Sequence, residues 1–367
     1  MTLPVPFTHT ASTTATAPDA DVLPRDVFVA LESQQSLANK DIGPRQTPQK
    51  VLTVPQVDVS AQAQALIAAP YRLPAWNADP VDANGWRELI CSLAESTLAG
   101  LAAARERLGV TIQSVNIGGV PGFLLEPASI PAHHVSQLIL NLHGGGYVYG
   151  PGESGTMEAT LIAAYSGYKV LAVDYRMPPD FPYPAAMDDA MAAWKGVLDM
   201  APSANIGLTG TSTGGAMALA LVMRAKSEGI ALPGALAIGT PWSDLTETGD
   251  SYRTNEWIDN IVVSHKGYLG RAAALYANGH DLKDPQLSPV YGDFHAFPPT
   301  QLFSGTRDLF LSNTIRVHRK LRQAGTEADL HVFEGLSHAQ HFGDPLLPEA
   351  QETCKEIGLF FDRHLAH

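Results

Sequence analysis

Between residues 84 and 108, Trp86, Leu89, Ile90, Leu93, Thr97, Leu101 and Leu108 return at spacings of three and four, the period of a helix with one apolar face. The pattern changes after residue 110. Strand-like runs at 111–117 and 122–126 flank the Gly118-Gly119 turn and predict a hairpin. Apolar runs at 137–142, at 169–174, from 206 and at 235–238 then alternate with helix-forming stretches at 156–165, 185–199 and up to about 226. Such alternation predicts a mostly parallel sheet covered by helices on both faces. It breaks between residues 244 and 284, where only a helix at 264–277 is predicted, and this stretch reads as an insertion. A strand at 300–304, a helix capped by Ser312 and running to about 323, a strand at 329–333 and a last helix at 348–364 complete the chain. No internal repeat is visible.

Upstream, residues 1–49 are rich in Thr, Ala, Pro and Asp and carry no sustained period, so an extended arm is expected there, with a short apolar patch at 27–31. Ser60 is placed to cap a short helix that Pro70 closes. The chain therefore divides into an arm at 1–49, a helical segment at 50–108 and an α/β domain at 109–367 that contains the insertion at 245–284.

Composition narrows the partners. The 367 residues carry a formal charge of −13 without a lysine or arginine cluster, which disfavours nucleic acid and anionic membrane and suits a small neutral substrate. Cys91 and Cys354 are too few for a disulfide framework or a cysteine metal site. The first 25 residues lack a basic and apolar leader, and no apolar run is long enough to span a bilayer. A soluble, cytoplasmic protein is expected.

Candidate chemistry centres on Gly210-Thr211-Ser212-Thr213-Gly214-Gly215, where an apolar strand runs directly into an apolar helix. A G-x-S-x-G in that context lifts the serine hydroxyl clear of the sheet at a sharp turn, and makes Ser212 the candidate nucleophile. A serine needs a base within reach and a third group to orient that base. Asp308 and His338 each follow a strand, in loops at the same sheet edge as Ser212, and fit the order serine, acid, histidine. Asp308 could also cap the helix after it, and His341 competes with His338 from three residues away. The glycine run after the 137–142 strand offers the N–H groups of Gly144 and Gly145, together with that of Thr213, to a developing oxyanion. His143 is expected to brace that loop.

His143-Gly144-Gly145-Gly146, Tyr175-Arg176-Met177-Pro178-Pro179-Asp180, the Pro184 to Ala190 stretch, Gly210 to Gly215, Pro241-Trp242-Ser243-Asp244-Leu245, Asp308 and His338 occur in the order found in the hormone-sensitive lipase family, also called bacterial esterase family IV. The resemblance covers residues 110–365. It implies an α/β-hydrolase fold with a helical cap, drawn from residues 50–108 and the insertion, and a serine carboxylesterase acting on small, fairly apolar esters. No metal or organic cofactor is implied, and homodimers are common among members. Two features depart from the common pattern: Thr211 and Thr213 stand where many members have aspartate and alanine, and the arm before residue 50 is not covered. Lactone or amide hydrolysis shares the same chemistry. A ligand receptor on a hydrolase scaffold is the alternative of a different class; plant gibberellin receptors resemble this family but lack the catalytic histidine.

Overall fold

The computed structural model describes residues 52–71 and 76–366. The expected arm at 1–49, with its apolar patch at 27–31, lies outside the described residues. The α/β domain is an eight-stranded sheet in the order β1-β2-β4-β3-β5-β6-β7-β8. Strands β1 (Thr111–Ile117) and β2 (Val120–Glu126) form the expected hairpin, with Ile117 opposite Val120 across the Gly118-Gly119 turn. Strand β2 pairs antiparallel with β4 (Val170–Val173), and from β4 onward all pairings are parallel through β3 (Leu138–Leu142), β5 (Ile206–Thr211), β6 (Ala235–Gly239), β7 (Thr300–Gly305) and β8 (Ala328–Phe333).

Every residue of β3, β4, β5, β6 and β7 is buried, which explains why these runs do not alternate between apolar and charged positions; their few polar residues, such as Asn141 and Gln301, are buried with the rest. Two cores cover the faces. One contains Trp194 of the helix Ala185–Leu198, Met217 of Thr213–Glu228 and Val317 of Leu311–Gln323; the other contains Ile162 of Met157–Ser166 and Phe360 and Phe361 of Pro348–His364.

In chain order the helices are α1 (Ala61–Ala68), α2 (Ala83–Leu108), α3 (Met157–Ser166), α4 (Ala185–Leu198), α5 (Thr213–Glu228), α6 (Ser251–Thr254), α7 (Gly270–Ala277), α8 (Leu311–Gln323) and α9 (Pro348–His364). Helix α1 starts as the sequence predicts: the Ser60 hydroxyl accepts the Ala63 N–H at 3.0 Å and donates to Glu349 at 2.8 Å, which ties α1 to the first turn of α9. Helix α2 is capped by Asp82, which accepts the Gly85 N–H, and ends where Gly109 turns left-handed at φ 67°. Its apolar stripe divides its work: Trp86 and Leu101 are buried, whereas Leu93, Ala94 and Thr97 face a cavity.

Two boundary expectations are corrected. Ser312 lies inside α8 and does not cap it; its hydroxyl accepts the Ser251 N–H at 2.9 Å, so it fastens the insertion instead. The single helix expected at 264–277 is a wider turn at His265–Leu269 followed by α7, because the backbone leaves helical values at Gly267. There the chain passes so close to the Trp76 carbonyl that a Cβ would sit 2.0 Å from its oxygen.

Candidate active site

Strand β5 delivers its last residue into a turn with Ser212 at φ 60° and ψ −121°, a backbone conformation that L residues rarely adopt. The turn is held from both sides: the Ser212 N–H donates to the Gly239 carbonyl at 2.9 Å, and the Ser212 carbonyl accepts the Trp242 N–H at 2.9 Å. Gly214 is obligatory here, since a Cβ would lie 1.9 Å from the Leu142 carbonyl oxygen. The strained turn is thus a product of the packing of β3 against α5.

The loops after β7 and β8 bring Asp308 and His338 to this turn. His338 Nε2 lies 3.0 Å from Ser212 Oγ, and its Nδ1 lies 3.1 Å from Asp308 Oδ1. Asp308 is ionised in this arrangement and can only accept, so the imidazole carries its hydrogen on Nδ1 and turns a lone pair on Nε2 toward the serine. Asp308 has no exposed surface. Burial alone would raise its carboxyl, but the His338 imidazole and the Ser304 and Thr240 hydroxyls outweigh it and hold the group below the ordinary carboxylate range. Ser304 Oγ donates at 2.6 Å and Thr240 Oγ1 donates to the same Oδ2, while the Phe310 N–H donates to Oδ1 at 2.8 Å. Asp308 does not cap the following helix, which starts at Leu311 after Phe310 without a side-chain cap; its bond to the Phe310 N–H turns the loop instead. The Phe310 ring meets the His338 imidazole edge-on at 4.7 Å and stacks on Trp242 at 5.2 Å, which limits where the imidazole can swing.

His341, the competing histidine, is buried away from the serine, with Phe303 and Phe333 on either side at 6.1 and 6.3 Å. Burial lowers its pKa to about 3, and neither ring nitrogen has a hydrogen-bond partner among the described residues. It is a packing residue.

Opposite the serine, the loop after β3 turns through Gly144 and Gly145. Among the described residues the N–H groups of Gly144, Gly145 and Thr213 have no protein acceptor; Gly144 packs against Ser212, Thr213 follows it in the chain, and Gly145 lines the same cavity. A Cβ on Gly144 would stand 2.7 Å from the Thr211 carbonyl and one on Gly145 would stand 2.3 Å from the Tyr149 carbonyl. His143 braces this loop as expected: its Nδ1–H donates to the Gly144 carbonyl at 2.7 Å, its ring stacks on Tyr175 at 4.2 Å, and burial lowers its pKa so that it stays neutral.

Ser212, His338, Gly144 and Gly145 open into a cavity of about 310 Å³. Its walls are largely apolar, with Leu93 from α2, Ile261, Val262 and Tyr268 from the insertion, and Phe342 beyond the histidine loop. Glu158 is the exception. It is 9% exposed, it lines the cavity beside Thr211, and burial raises its pKa to about 8 despite stabilising contacts from Thr211 and Asn141.

Four functional neighbours escaped the sequence reading: Thr240, Ser304, Glu158 and Asp259. Three are hydroxyl or carboxyl residues at strand or helix ends with no motif around them; Asp259 lies in an aperiodic insertion. Away from the cavity, at the opposite edge of the sheet, His133, His134 and Asp362 could approach one metal ion, but Asp362 Oδ1 already receives the Tyr168 hydroxyl and His134 Nε2, each at 2.7 Å. Among the described residues no helix is long and apolar enough to cross a membrane.

An α/β-hydrolase-fold family model matches residues 139–342, which spans β3 to the loop beyond His338. The chain belongs to the hormone-sensitive lipase family of α/β-hydrolases. It is 30% identical over 231 residues to an acetyl-hydrolase of Streptomyces hygroscopicus, covering 63% of this chain and 77% of that one. Among solved structures, that of an esterase superposes with a TM-score of 0.85 at 39% identity over 88% of this chain and 99% of the other. An esterase from the bacterial hormone-sensitive lipase family superposes at 0.66 with 27% identity, over 78% and 100%.

Proposed function

We propose that this family member is a serine carboxylesterase that hydrolyses small, fairly apolar carboxylic esters through an acyl-enzyme, with Ser212, His338 and Asp308 as its triad. The observation that carries the reading is the unbroken chain of hydrogen bonds from Asp308 through His338 to a strained serine that opens into an apolar cavity. An ester in that cavity presents its carbonyl carbon to Ser212 Oγ while Nε2 takes the hydroxyl proton. The carbonyl oxygen becomes an oxyanion that accepts from the N–H groups of Gly144, Gly145 and Thr213. Collapse of the tetrahedral intermediate expels the alcohol, which leaves with the proton from Nε2. Water then repeats the sequence on the acyl-enzyme, giving the carboxylic acid and the free serine.

The cavity sets the substrate. About 310 Å³ lies at the small end of ligand sites, which suits short acyl chains. The wall formed by α2 and the insertion acts as the cap, and its apolar side chains give little purchase to a charged acyl group. A receptor role would not require a base poised 3.0 Å from the serine. The test is a panel of p-nitrophenyl esters from acetate to decanoate, run beside a lactone and an anilide. Rapid p-nitrophenol release with a preference for short chains, abolished in Ser212→Ala, is expected; hydrolysis that survives Ser212→Ala refutes the assignment.

A further inference from the structure

Within the insertion, residues 255–262 reach both catalytic loops, and one buried carboxylate among them, Asp259, holds backbone on both loops at once. Asp259 has no exposed surface. Its Oδ2 accepts the N–H of Leu309 at 2.8 Å and that of His338 at 3.0 Å, so one oxygen holds the residue after the acid and the base itself. Its Oδ1 accepts the N–H groups of Ile261 at 2.8 Å and Val262 at 3.1 Å, two residues that line the cavity. The flanking residues extend the attachment. Asn255 Nδ2 donates to the carbonyls of Thr306 and Asp308 at 3.2 and 2.8 Å, and the Asn260 N–H donates to Ser337 Oγ at 3.2 Å.

All four partners of Asp259 are donors, so a neutral carboxyl would have to turn its own hydroxyl hydrogen against one of them; the geometry is built for the carboxylate. The titratable groups facing it are Asp308, His338 and Tyr268. Burial and then the Asp308 charge raise its pKa above the ordinary carboxylate value, while the His338 imidazole and the Leu309 and Ile261 N–H groups pull it back down.

Building on the esterase reading, we propose that Asp259 is a positioning residue for the triad: its carboxylate ties the cavity wall at Ile261 and Val262 to the loops of Asp308 and His338, so that the insertion sets the alignment of acid and base. Asp308 and His338 arrive on separate loops, and a misplacement of about 1 Å in such an arrangement costs about 100-fold in rate. A link to the wall also means that the acyl group, by pressing on Ile261 and Val262, acts on the residues that will carry its reaction.

Asp259→Asn tests this. Asparagine keeps the shape but offers one oxygen in place of two, so one pair of N–H groups meets an amide N–H₂. Wild type and variant are compared on p-nitrophenyl esters for kcat, KM, burst amplitude and Tm. The expected result is a kcat lower by about 100-fold, a KM within about 3-fold and a nearly full burst amplitude. A merely structural role would lower burst amplitude and Tm in step and leave kcat per active site unchanged. Asn255→Ala is the second arm should the first variant not fold: it frees only the acid loop, and a kcat about 10-fold lower at nearly unchanged Tm is expected. Unchanged kcat in whichever variant folds, or a loss fully explained by inactive sites, overturns the proposal. If the wild type hydrolyses no ester, both readings fall; if it does and the variants match it, only this one does.

Discussion

Glu158 is a buried carboxyl that the fold keeps neutral at a cost in stability near neutral pH, and replacing it with glutamine gives a measurable sign. The side chain sits behind the nucleophile turn with burial raising its pKa to about 8, against an ordinary value of 4.5. Below pH 4.5 the carboxyl is neutral in both folded and unfolded chains and costs nothing. As pH rises from 4.5 toward about 8, the unfolded chain gains by ionising while the folded chain stays protonated, so stability is lost across that window and the loss levels off above it. pH 7 lies about 2.5 units above the unfolded value of 4.5; at about 1.4 kcal/mol per unit this amounts to about 3.5 kcal/mol, an upper figure because Glu158 borders a cavity that admits water. Glu158→Gln imitates the neutral form at every pH. Urea denaturation of both proteins at pH 5, 7 and 8.5 should therefore show a stability difference that shifts in favour of the variant as pH rises, by about 2 to 3 kcal/mol between the first two points. All other titrating groups are common to both proteins and cancel. A difference that stays constant with pH, or shifts toward the wild type, would refute a neutral buried Glu158.

Ser212→Ala and His338→Ala should each lower kcat by about 10⁴-fold or more with Tm little changed, since members of a triad act as one unit; steady-state rates with a short ester check this. His341→Phe should leave kcat within about 3-fold and flatten the loss of stability in acid: burial holds His341 neutral to about pH 3, so the wild type loses stability as pH falls from about 6.5, and Tm against pH reads the difference. Thr240→Val removes one of the two hydroxyls on Asp308 Oδ2 and should lower kcat about 10-fold without changing chain-length preference. Leu93→Ala widens the cavity wall contributed by α2 and should shift the kcat/KM optimum toward longer acyl chains; an unchanged profile across the ester panel counts against a cap that shapes the site.

The residues that sequence reading could find share one property: each announces itself by its place in the βα alternation. Ser212, Asp308 and His338 stand just past parallel strands, where side chains from distant parts of the chain must meet, and the structure brings the three together. The loop of Gly144 and Gly145 was legible for the same reason. Thr240 and Ser304 were not, because a hydroxyl at the end of a strand becomes significant only when a buried carboxylate lies beside it. The pairing of β2 with β4 was equally hidden: both β3 and β4 read as interior strands, and only their three-dimensional order shows which one the hairpin adjoins. At the insertion, local propensity predicted one helix through residue 277, but close packing of Gly267 on Trp76 forced a wider turn. His338 and His341 could be ranked by position, yet the reason for the ranking is physical: one ring faces a serine and a carboxylate, the other faces aromatic rings.

Strands β6 and β7 are hydrogen-bonded neighbours although residues 240–299 run between them, so the chain departs from the sheet and rejoins it at adjacent positions. By that geometry alone, the whole excursion looks like an interchangeable cassette that evolution or an engineer could swap to obtain a new substrate range. Asp259 argues for a restriction on such exchange. A transplanted excursion must deliver a carboxylate to the backbone of the residue after the acid and of the base, or the recipient will inherit a new pocket above a misaligned triad. Libraries that diversify Ile261 and Val262 while keeping Asn255 and Asp259 fixed follow the grain of the fold; those that replace the segment wholesale cut across it.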